Sequence, residues 1–504
     1  MSNCKNSNSE PTKRQLMDLA SGRTCRQAKI VNYNDNAMAR APQKRKQDGP
    51  KEGTSSKKPA PLDRRPSVAS GAPSTSKDSK VPSRQPLLSE TAYNLQKTKY
   101  RREIQNFNRT GKNMGCPEFM EVFEEGEFLL DSYGNYSKSE PAVKIVQDGT
   151  HYLRELESFD GPILFKKSKG LGVEFSEEIN VENLEKLLED QKSLNVICSF
   201  TQITKAMPVK KFLELFKKSS RNDALNVISL EVSKLKKLAK EIRAPKYVES
   251  FGIVNQVKTA LEAEKQRQGR LYLESGSSEI QKNLNFLEKV ISELPTYQKF
   301  LVLSTKGSFT DAHIDLSATA TFFHVKTGKK VFYIAPPTEK NLEIYEKREK
   351  EEIKEWIGDI LWDQWIRVEI SAGQTAMIPS GWIHFVWTPE DTIAVSGSYL
   401  LEKYVPRHFR ITKLDEYCLQ NQKSGITMDH MFQGFHPVMW AYVKYILLPD
   451  IAGRTVTPEK LKIVKIFAQN LEPRDKLDKQ WFNKAEQSEI LKKLKSEVRR
   501  LQNQ

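Results

Sequence analysis

Two short segments of this chain place two histidines and one carboxylate on sequence that predicts β-strands. The first segment, Thr310-Asp-Ala-His-Ile-Asp315, contains His313 and Asp315 two positions apart. Because side chains alternate between the two faces of a strand, such a pair points to the same side. The second segment ends at His384, within a run of aromatic and β-branched residues typical of a strand. Two histidines and one carboxylate on one face leave coordination positions open, as in non-haem Fe(II) oxygenases.

The sequence around these segments predicts short strands joined by tight turns. Residues 319–335 read as a strand, a turn at residues 326–328 and a second strand, and residues 373–384 repeat this order. Such strands are typical of an antiparallel double-sheet barrel, the jelly-roll or cupin form. A His-X-Asp triplet alone is common and is usually explained by a histidine with a hydrogen-bonding neighbour, so the metal interpretation depends on this context.

The composition is that of a basic chain, whose charge favours the binding of polyanions. The net charge is +16, which favours nucleic acid or chromatin as a partner, with a merely solvated basic surface as the alternative. None of the five cysteines forms a CxxC pair, so no PHD finger or zinc ribbon is predicted, and scattered thiols suit the cytosol or the nucleus. Apolar runs are too short for a signal peptide or a membrane span, and neither is expected.

The chain divides into four predicted regions. Residues 1–95 are rich in Ser, Lys, Pro and Gly without apolar periodicity, and predict a disordered basic tail. Its basic clusters at residues 44–46, 57–58 and 64–65 read as a nuclear localisation signal, or simply as solvated charges. Residues 119–300 predict helices and strands, residues 300–405 the barrel core and residues 406–504 a helical region.

Two further runs have helical spacing, and neither is assigned a chemical role. The charged run at residues 346–355 predicts a solvated helix. Residues 456–504 have helical spacing that fits a packed helix, a partner-binding helix or a solvated basic one, and the sequence does not choose among them.

Taken together, these motifs resemble the JmjC-domain histone lysine demethylases, and within them the lysine-specific demethylase 7 and 2 subgroup. The resemblance extends over about residues 120–450 with the order of motifs kept. Beyond the two metal segments it includes Asp160-Gly-Pro-Ile-Leu-Phe-Lys-Lys-Ser-Lys-Gly-Leu-Gly172, Leu225-Asn-Val-Ile-Ser-Leu-Glu231 and Phe432-Gln-Gly-Phe-His-Pro437. It implies an α+β fold: a double-stranded β-helix, the cupin-like JmjC barrel, with surrounding helices.

The resemblance also implies a cofactor set and a reaction. His313, Asp315 and His384 would hold Fe(II), and Thr310 and Lys330 would bind the far carboxylate of 2-oxoglutarate, with O2 as the oxidant. The expected activity is hydroxylation of lysine N-methyl groups, with loss of formaldehyde, on mono- or dimethyl-lysine of the histone H3 tail. The expected partners are methylated histone tails and chromatin in the nucleus, with nucleic-acid contact through the basic tail.

The choice of Lys330 over Lys329 rests on the family match, because alternation along the strand does not tell which face is interior. Asn226 and Ile228 match family positions that line the substrate pocket, and ordinary strand packing is the alternative for both. Phe323 and Ser398 belong to the same predicted pocket.

The chain departs from the subgroup at three places. Leu316-Ser-Ala318 stands where Phe-Gly-Gly is usual, Phe323 replaces a tyrosine that commonly touches the cosubstrate, and Ser398 replaces an asparagine. The added side chains at Ser317 and Ala318 are expected to narrow the channel for methyl-lysine. Two alternatives therefore stay open: a catalytically weak or inactive JmjC chromatin-binding protein, and a JmjC protein hydroxylase.

Overall fold

The computed structural model describes residues 143–152, 160–201, 203–351, 355–361, 364–421, 431–475 and 481–503. The predicted disordered tail and its basic clusters lie outside these residues. The strands are β1 (Lys144–Val146), β2 (Ile163–Phe165), β3 (Glu174–Phe175), β4 (Ser193–Cys198), β5 (Ile203–Pro208), β6 (Leu225–Glu231), β7 (Ile242–Arg243), β8 (Phe300–Ser304), β9 (Phe309–His313), β10 (Ala320–Thr327), β11 (Lys329–Ala335), β12 (Ile366–Ser371), β13 (Thr375–Ile378), β14 (Ile383–Trp387) and β15 (Thr392–Tyr399).

The helices of the described residues lie before, within and after the barrel strands. They are α1 (Leu184–Leu187), α2 (Val209–Phe216), α3 (Lys246–Phe251), α4 (Ile253–Ser275), α5 (Ser278–Ser292), α6 (Glu339–Lys350), α7 (Ile357–Ile360), α8 (Val405–Gln420), α9 (Phe435–Tyr442), α10 (Leu448–Ile451), α11 (Pro458–Asn470) and α12 (Lys484–Gln502), with a π-helical segment, Val443–Leu447, between α9 and α10. None of these helices combines the length and the apolar character that crossing a membrane requires.

Strands β8 to β15 form a barrel of two sheets that face each other. Four of them lie in a nine-stranded sheet of order β1-β2-β13-β10-β15-β8-β6-β4-β5, and the other four form the sheet β12-β11-β14-β9. The pairings between barrel strands are antiparallel. The predicted double-stranded β-helix is thereby confirmed, with α+β architecture around it.

The predicted turn at residues 326–328 carries the chain from one sheet to the other. β10 ends in the nine-stranded sheet and β11 begins in the four-stranded one, so the two strands do not form a hairpin. Gly328 has a φ of 78°, and a Cβ at this position would collide with the backbone carbonyl of Asp391. The crossing therefore requires glycine, because other residues meet both steric problems.

Apolar side chains from both sheets fill the barrel interior. Burying one such side chain fully contributes about 1.5–3 kcal/mol. The cluster includes Val302, Phe323, Val325, Phe332, Ile334, Val368, Ile370, Ile378, Val386 and Ala394. This packing sets the inward faces of β10, β11 and β14.

The C-terminal helices pack with the helices that precede the barrel. A continuous buried cluster joins Val257 of α4, Trp440 of α9, Phe467 of α11 and Leu494 of α12. The N-terminus of α12 carries a capping box, in which Asn483 and Glu486 satisfy each other's backbone N–H groups. Of the three interpretations of residues 456–504, the packed helix is the one found.

The charged run after residue 345 is less solvated than predicted. Helix α6 ends at Lys350, and Glu349 in its last turn is only 1% exposed. Arg348 lies 3.1 Å from Glu349 and 3.5 Å from the buried carboxylate of Asp311 on β9. The expectation of a solvated helix is therefore wrong for this turn, which is anchored to the barrel.

Candidate metal centre

The pairing of β9 with β14 sets the two predicted histidine ligands directly opposite each other. His384 is the register partner of His313, and the centroids of their rings lie 4.2 Å apart. Nε2 of His313 lies 3.8 Å from Oδ1 of Asp315. One candidate ligand atom from each of the three residues lies within 4.8 Å of the others. The structure thus brings the three predicted ligands together.

A bulge in β9 explains why both Thr310 and His313 face the interior. His384 pairs with His313, but Val386, two residues on, pairs with Thr310, three residues back. The extra residue in β9 changes the alternation of side chains, as bulges do beside functional sites. Asp311 turns outward, where Nε1 of Trp356 donates to its Oδ1 at 2.6 Å.

Backbone carbonyls fix the orientation of both imidazoles. Nδ1 of His313 lies 2.8 Å from the carbonyl oxygen of Asp311, and Nδ1 of His384 lies 3.0 Å from that of Trp382. Since a carbonyl can only accept, each Nδ1 is the donor, which leaves Nε2 as the nitrogen of each ring that can bind a metal. Two neutral imidazole nitrogens and one carboxylate oxygen fit Fe(II) and leave positions for other ligands.

Asp315 lies outside the strand, contrary to the sequence interpretation. β9 ends at His313, and Asp315 is the N-terminal flanking residue of a short 3₁₀ turn, Leu316–Ala318. Its backbone is still extended, with φ −56° and ψ 153°, so its carboxylate stays on the same side as His313. The predicted convergence of the pair is found, with a different local structure.

A cavity of about 120 Å³ leads from the three ligands into the barrel. Thr310 and Lys330 also line it, as do three of the four predicted pocket residues, Ile228, Phe323 and Ser398. The rest of the lining is Ser229, Phe300, Val302, Ile314, Leu316, Thr321, Phe332, Val386 and Ser396. The lining is therefore mixed, with nine polar or charged residues and eight apolar ones.

Lys330 is buried, and within the described part of the chain its hydrogen-bond partners are hydroxyl groups and not carboxylates. It is 2% exposed, and its Nζ donates to Oγ of Ser304 at 2.6 Å and to Oγ1 of Thr388 at 2.7 Å. Burial lowers the pKa of Lys330 to about 7. An ammonium group has three N–H donors, so one is available for a ligand in the cavity. Lys329 instead points outward, 3.7 Å from Glu390.

A chain of hydrogen bonds connects Lys330 to Thr310 behind the cavity wall. Oγ of Ser304, which accepts from Lys330, donates to Oδ1 of Asn226 at 2.6 Å. Nδ2 of Asn226 then donates to Oγ1 of Thr310 at 3.0 Å. Since Thr310 accepts from Asn226, its own hydroxyl proton is directed elsewhere. Thr310 and Lys330 thus both line the cavity and are linked to each other through Ser304 and Asn226.

Asn226 does not line the cavity, although the sequence interpretation put it there. It is fully buried behind Thr310 and is one link of the chain described above. Ser304 and Thr388 were not identified from the sequence. The available signal was a hydroxyl at the end of each apolar strand, at the last residue of β8 and just after β14.

A second bulge brings Ile228 to the cavity. β6 pairs with β8 through Val227 and Leu303, but the next pair is Leu230 and Leu301, so β6 has one additional residue. Such bulges re-aim side chains beside functional sites. Ile228 and Ser229, at this irregularity, both border the cavity.

Neither Ser317 nor Ala318, the two added side chains expected to narrow the channel for methyl-lysine, is among the described residues that line the cavity. Leu316 borders it, whereas Ala318 packs in the hydrophobic cluster outside the four-stranded sheet, with Phe309 and Leu414. Ser317 and Ala318 both have a φ of 50°. The departures from the usual glycine pair thus place two residues with side chains at a positive φ, which strains the backbone of this turn.

Comparison with known proteins agrees with the observed barrel. Residues 135–399 match a family model described as a cupin-like domain. Relatives include lysine-specific demethylase 2A of Xenopus tropicalis, which is 28% identical over 54% of this chain and 22% of its own length. Histone lysine demethylase PHF8 of Danio rerio is 28% identical over 58% of this chain and 25% of its own length.

A fungal relative, JmjC domain-containing histone demethylation protein 1 of Cryptococcus neoformans, is 29% identical over 48% of this chain and 33% of its own length. This chain therefore spans a third or less of the length of these relatives. The resemblance predicted from the sequence motifs is confirmed.

Proposed function

The chain belongs to the cupin-like domain family, and from this premise we propose that it is an Fe(II)- and 2-oxoglutarate-dependent dioxygenase that demethylates histone lysine. One observation carries the proposal: a single cavity has three convergent metal-ligand side chains and a buried ammonium group on its wall. A metal ion and a dicarboxylate in one cavity are what this chemistry requires.

Each group of the cavity has a role in this proposal. His313, Asp315 and His384 hold Fe(II), and Lys330 and Thr310 bind the far carboxylate of 2-oxoglutarate. Bound iron and 2-oxoglutarate supply, with O2, the oxidising power to hydroxylate a C–H bond, with succinate and CO2 as products. Lys330 is 2% exposed, and an ion pair with a bound carboxylate would be stronger at a buried position than in water.

The proposed substrate is mono- or dimethyl-lysine of the histone H3 tail, bound as part of chromatin. Hydroxylation of an N-methyl carbon gives a carbinolamine, which releases formaldehyde and leaves the lysine with one methyl group fewer. The names of the similar proteins, a lysine-specific demethylase, a histone lysine demethylase and a histone demethylation protein, support methylated histone lysine as the class of substrate.

The test is a turnover assay on an array of methylated histone peptides with Fe(II), ascorbate and 2-oxoglutarate. We expect mass spectrometry to detect methyl loss together with formaldehyde. His313→Ala and Asp315→Ala should abolish turnover while the protein stays folded, because each removes one ligand of the metal. His151→Ala is the matched control, since His151 is an exposed histidine elsewhere in the chain.

The other outcomes separate the remaining possibilities. Unchanged turnover in His313→Ala would contradict the iron site. A product that carries one added oxygen, without formaldehyde, would identify a protein hydroxylase. Peptide binding without any oxidation would identify an inactive chromatin-binding protein, in line with the departures at Phe323 and Ser398.

We further propose that the protein acts in the nucleus, directed there by the basic clusters of its N-terminal tail. Replacing residues 44–46, 57–58 and 64–65 by neutral residues should reduce nuclear accumulation of a fluorescent fusion. A fusion that stays fully nuclear after this change would show that the signal lies elsewhere in the chain.

A further inference from the structure

We infer that His408 and Asp415, on helix α8, position the metal ligand Asp315 by holding the strained turn that follows it. The inference rests on the proposed metal centre and adds two residues that do not touch the metal or the cavity. Both are positioning residues, because they act on Asp315 through the backbone of residues 316–318.

The turn after Asp315 is in a conformation that its residues disfavour. Ser317 has φ 50° and ψ 30°, and Ala318 also has a φ of 50°. A residue with a Cβ is strained in this left-handed region, whereas glycine adopts it freely. The N–H of Ala318 donates to the carbonyl oxygen of Asp315 at 2.8 Å. The strained turn is thus closed directly on the backbone of the proposed ligand.

Helix α8 binds both backbone polar groups of Ser317. His408 and Asp415 are seven residues apart, about two helical turns, and so lie on one face of the helix. The Nδ1 of His408 lies 3.0 Å from the carbonyl oxygen of Ser317, and Oδ2 of Asp415 accepts from the N–H of Ser317 at 3.3 Å. Both side chains are buried, with 0% and 4% exposure. The carbonyl and the N–H of one strained residue are therefore held from the same helix.

The protonation of His408 is fixed by a second contact. The N–H of Leu401 donates to Nε2 of His408 at 3.1 Å, so Nε2 is the acceptor and Nδ1 carries the proton. Burial lowers the pKa of His408 to about 4, so the ring is neutral around pH 7. His408 consequently presents a permanent donor to Ser317, as its proposed role requires.

The strain provides a way to distinguish positioning from ordinary packing. If α8 serves to hold an unfavourable turn, then glycine at positions 317 and 318 should make the two contacts dispensable, since glycine needs no external support there. If the contacts only hold α8 in place, glycine at these positions should compensate for nothing.

Two matched variants of His408 test the contact to Ser317. The amide nitrogen of asparagine occupies about the place of Nδ1, whereas the amide of glutamine reaches the place of Nε2. His408→Asn therefore keeps the donor to Ser317, and His408→Gln removes it. Measured with Co(II) as the probe, by visible absorption on the full chain, we expect His408→Gln to weaken metal binding about ten- to hundredfold. His408→Asn should stay much closer to the original affinity.

The rescue uses Ser317→Gly and Ala318→Gly in the His408→Gln background. We expect these glycines to recover most of the lost Co(II) affinity. Unchanged affinity in His408→Gln, or its loss without recovery by the glycines, would overturn the inference.

Hydrogen exchange of the amides of residues 315–319, followed by mass spectrometry without metal, separates this inference from the proposed function. Amide protection that falls in His408→Gln and returns with the glycines would support the inference. This holds even if the chain binds no Co(II). Failure to bind Co(II) would count against the metal centre and not against the role of α8. Equal protection in all variants would contradict the role of α8.

Discussion

At the level of single residues, the buried ammonium group of Lys330 gives the sharpest prediction. Lys330→Ala should raise the 2-oxoglutarate concentration needed for turnover by an amount equivalent to about 3–5 kcal/mol, as expected for loss of one partner of a buried charge pair. Iron binding should survive, because the three metal ligands are unchanged. The 2-oxoglutarate dependence of turnover measures the effect.

Lys329→Ala is the matched control for that experiment. Its side chain is 31% exposed and faces Glu390 across the surface, so the change should have little effect on 2-oxoglutarate binding. If Lys329→Ala weakened the binding of 2-oxoglutarate more than Lys330→Ala, the side chain of Lys329 and not that of Lys330 would face the barrel interior.

The ligand residues could be predicted from the sequence, whereas the residues that support them could not. His313, Asp315 and His384 are recognisable because the metal limits both residue type and spacing. Ser304, Asn226 and Thr388 act through contacts between strands that are distant in sequence. Such contacts depend on the register of the sheets, and register is not encoded by residue type alone.

At the level of elements, the strands at residues 319–335 and 373–384 could be predicted from their residue types, whereas the irregular pairings could not. The two strands predicted within residues 319–335 match β10 and β11. The bulges in β9 and β6 are set by the register of their pairing with β14 and β8. The residues of β9 and β6 alone therefore do not predict them. The same cause explains why Asp315 was assigned to a strand that ends two residues earlier.

The packing of helix α12 gives a prediction about this element. Leu494 is fully buried in the cluster shared with α4, α9 and α11, so Leu494→Ala should lower the free energy of unfolding by about 2–5 kcal/mol. Urea denaturation measures this loss. Lys492→Ala, an exposed position on the same helix, should change the stability by less than about 0.5 kcal/mol. Equal effects of both variants would contradict a packed α12.

At the level of the whole molecule, the buried lysine links stability to pH. The pKa of Lys330 is 10.5 in an exposed reference and about 7 in the folded protein. Between these values the unfolded chain binds more protons than the folded one, so the contribution of Lys330 makes the empty protein more stable as pH rises, by up to about 1.4 kcal/mol per pH unit. Below about pH 7 the full penalty of the buried charge is present.

Lys330→Met removes this titrating group. The gain in unfolding free energy of the variant over the original chain, both without ligand, should therefore be larger at pH 7 than at pH 9. The difference in unfolding free energy between the two proteins, measured in urea at both pH values, isolates Lys330 because the other groups cancel. Lys329→Met is the control and should show the same difference at both pH values. A constant difference for Lys330→Met would mean that Lys330 is not desolvated.

The uncompensated charge of Lys330 also has a consequence for the lifetime of the protein in a cell. The folded protein bears this penalty while the cavity holds no anion, and a bound carboxylate offsets it. A ligand that binds only the folded state adds about 2.7 kcal/mol of stability at a hundredfold excess over its dissociation constant. Cellular proteases remove proteins from the unfolded fraction, so such a change alters abundance several-fold. If the proposed function is right, a cell short of 2-oxoglutarate would therefore contain less of the folded protein. It would also have a slower rate of catalysis per molecule.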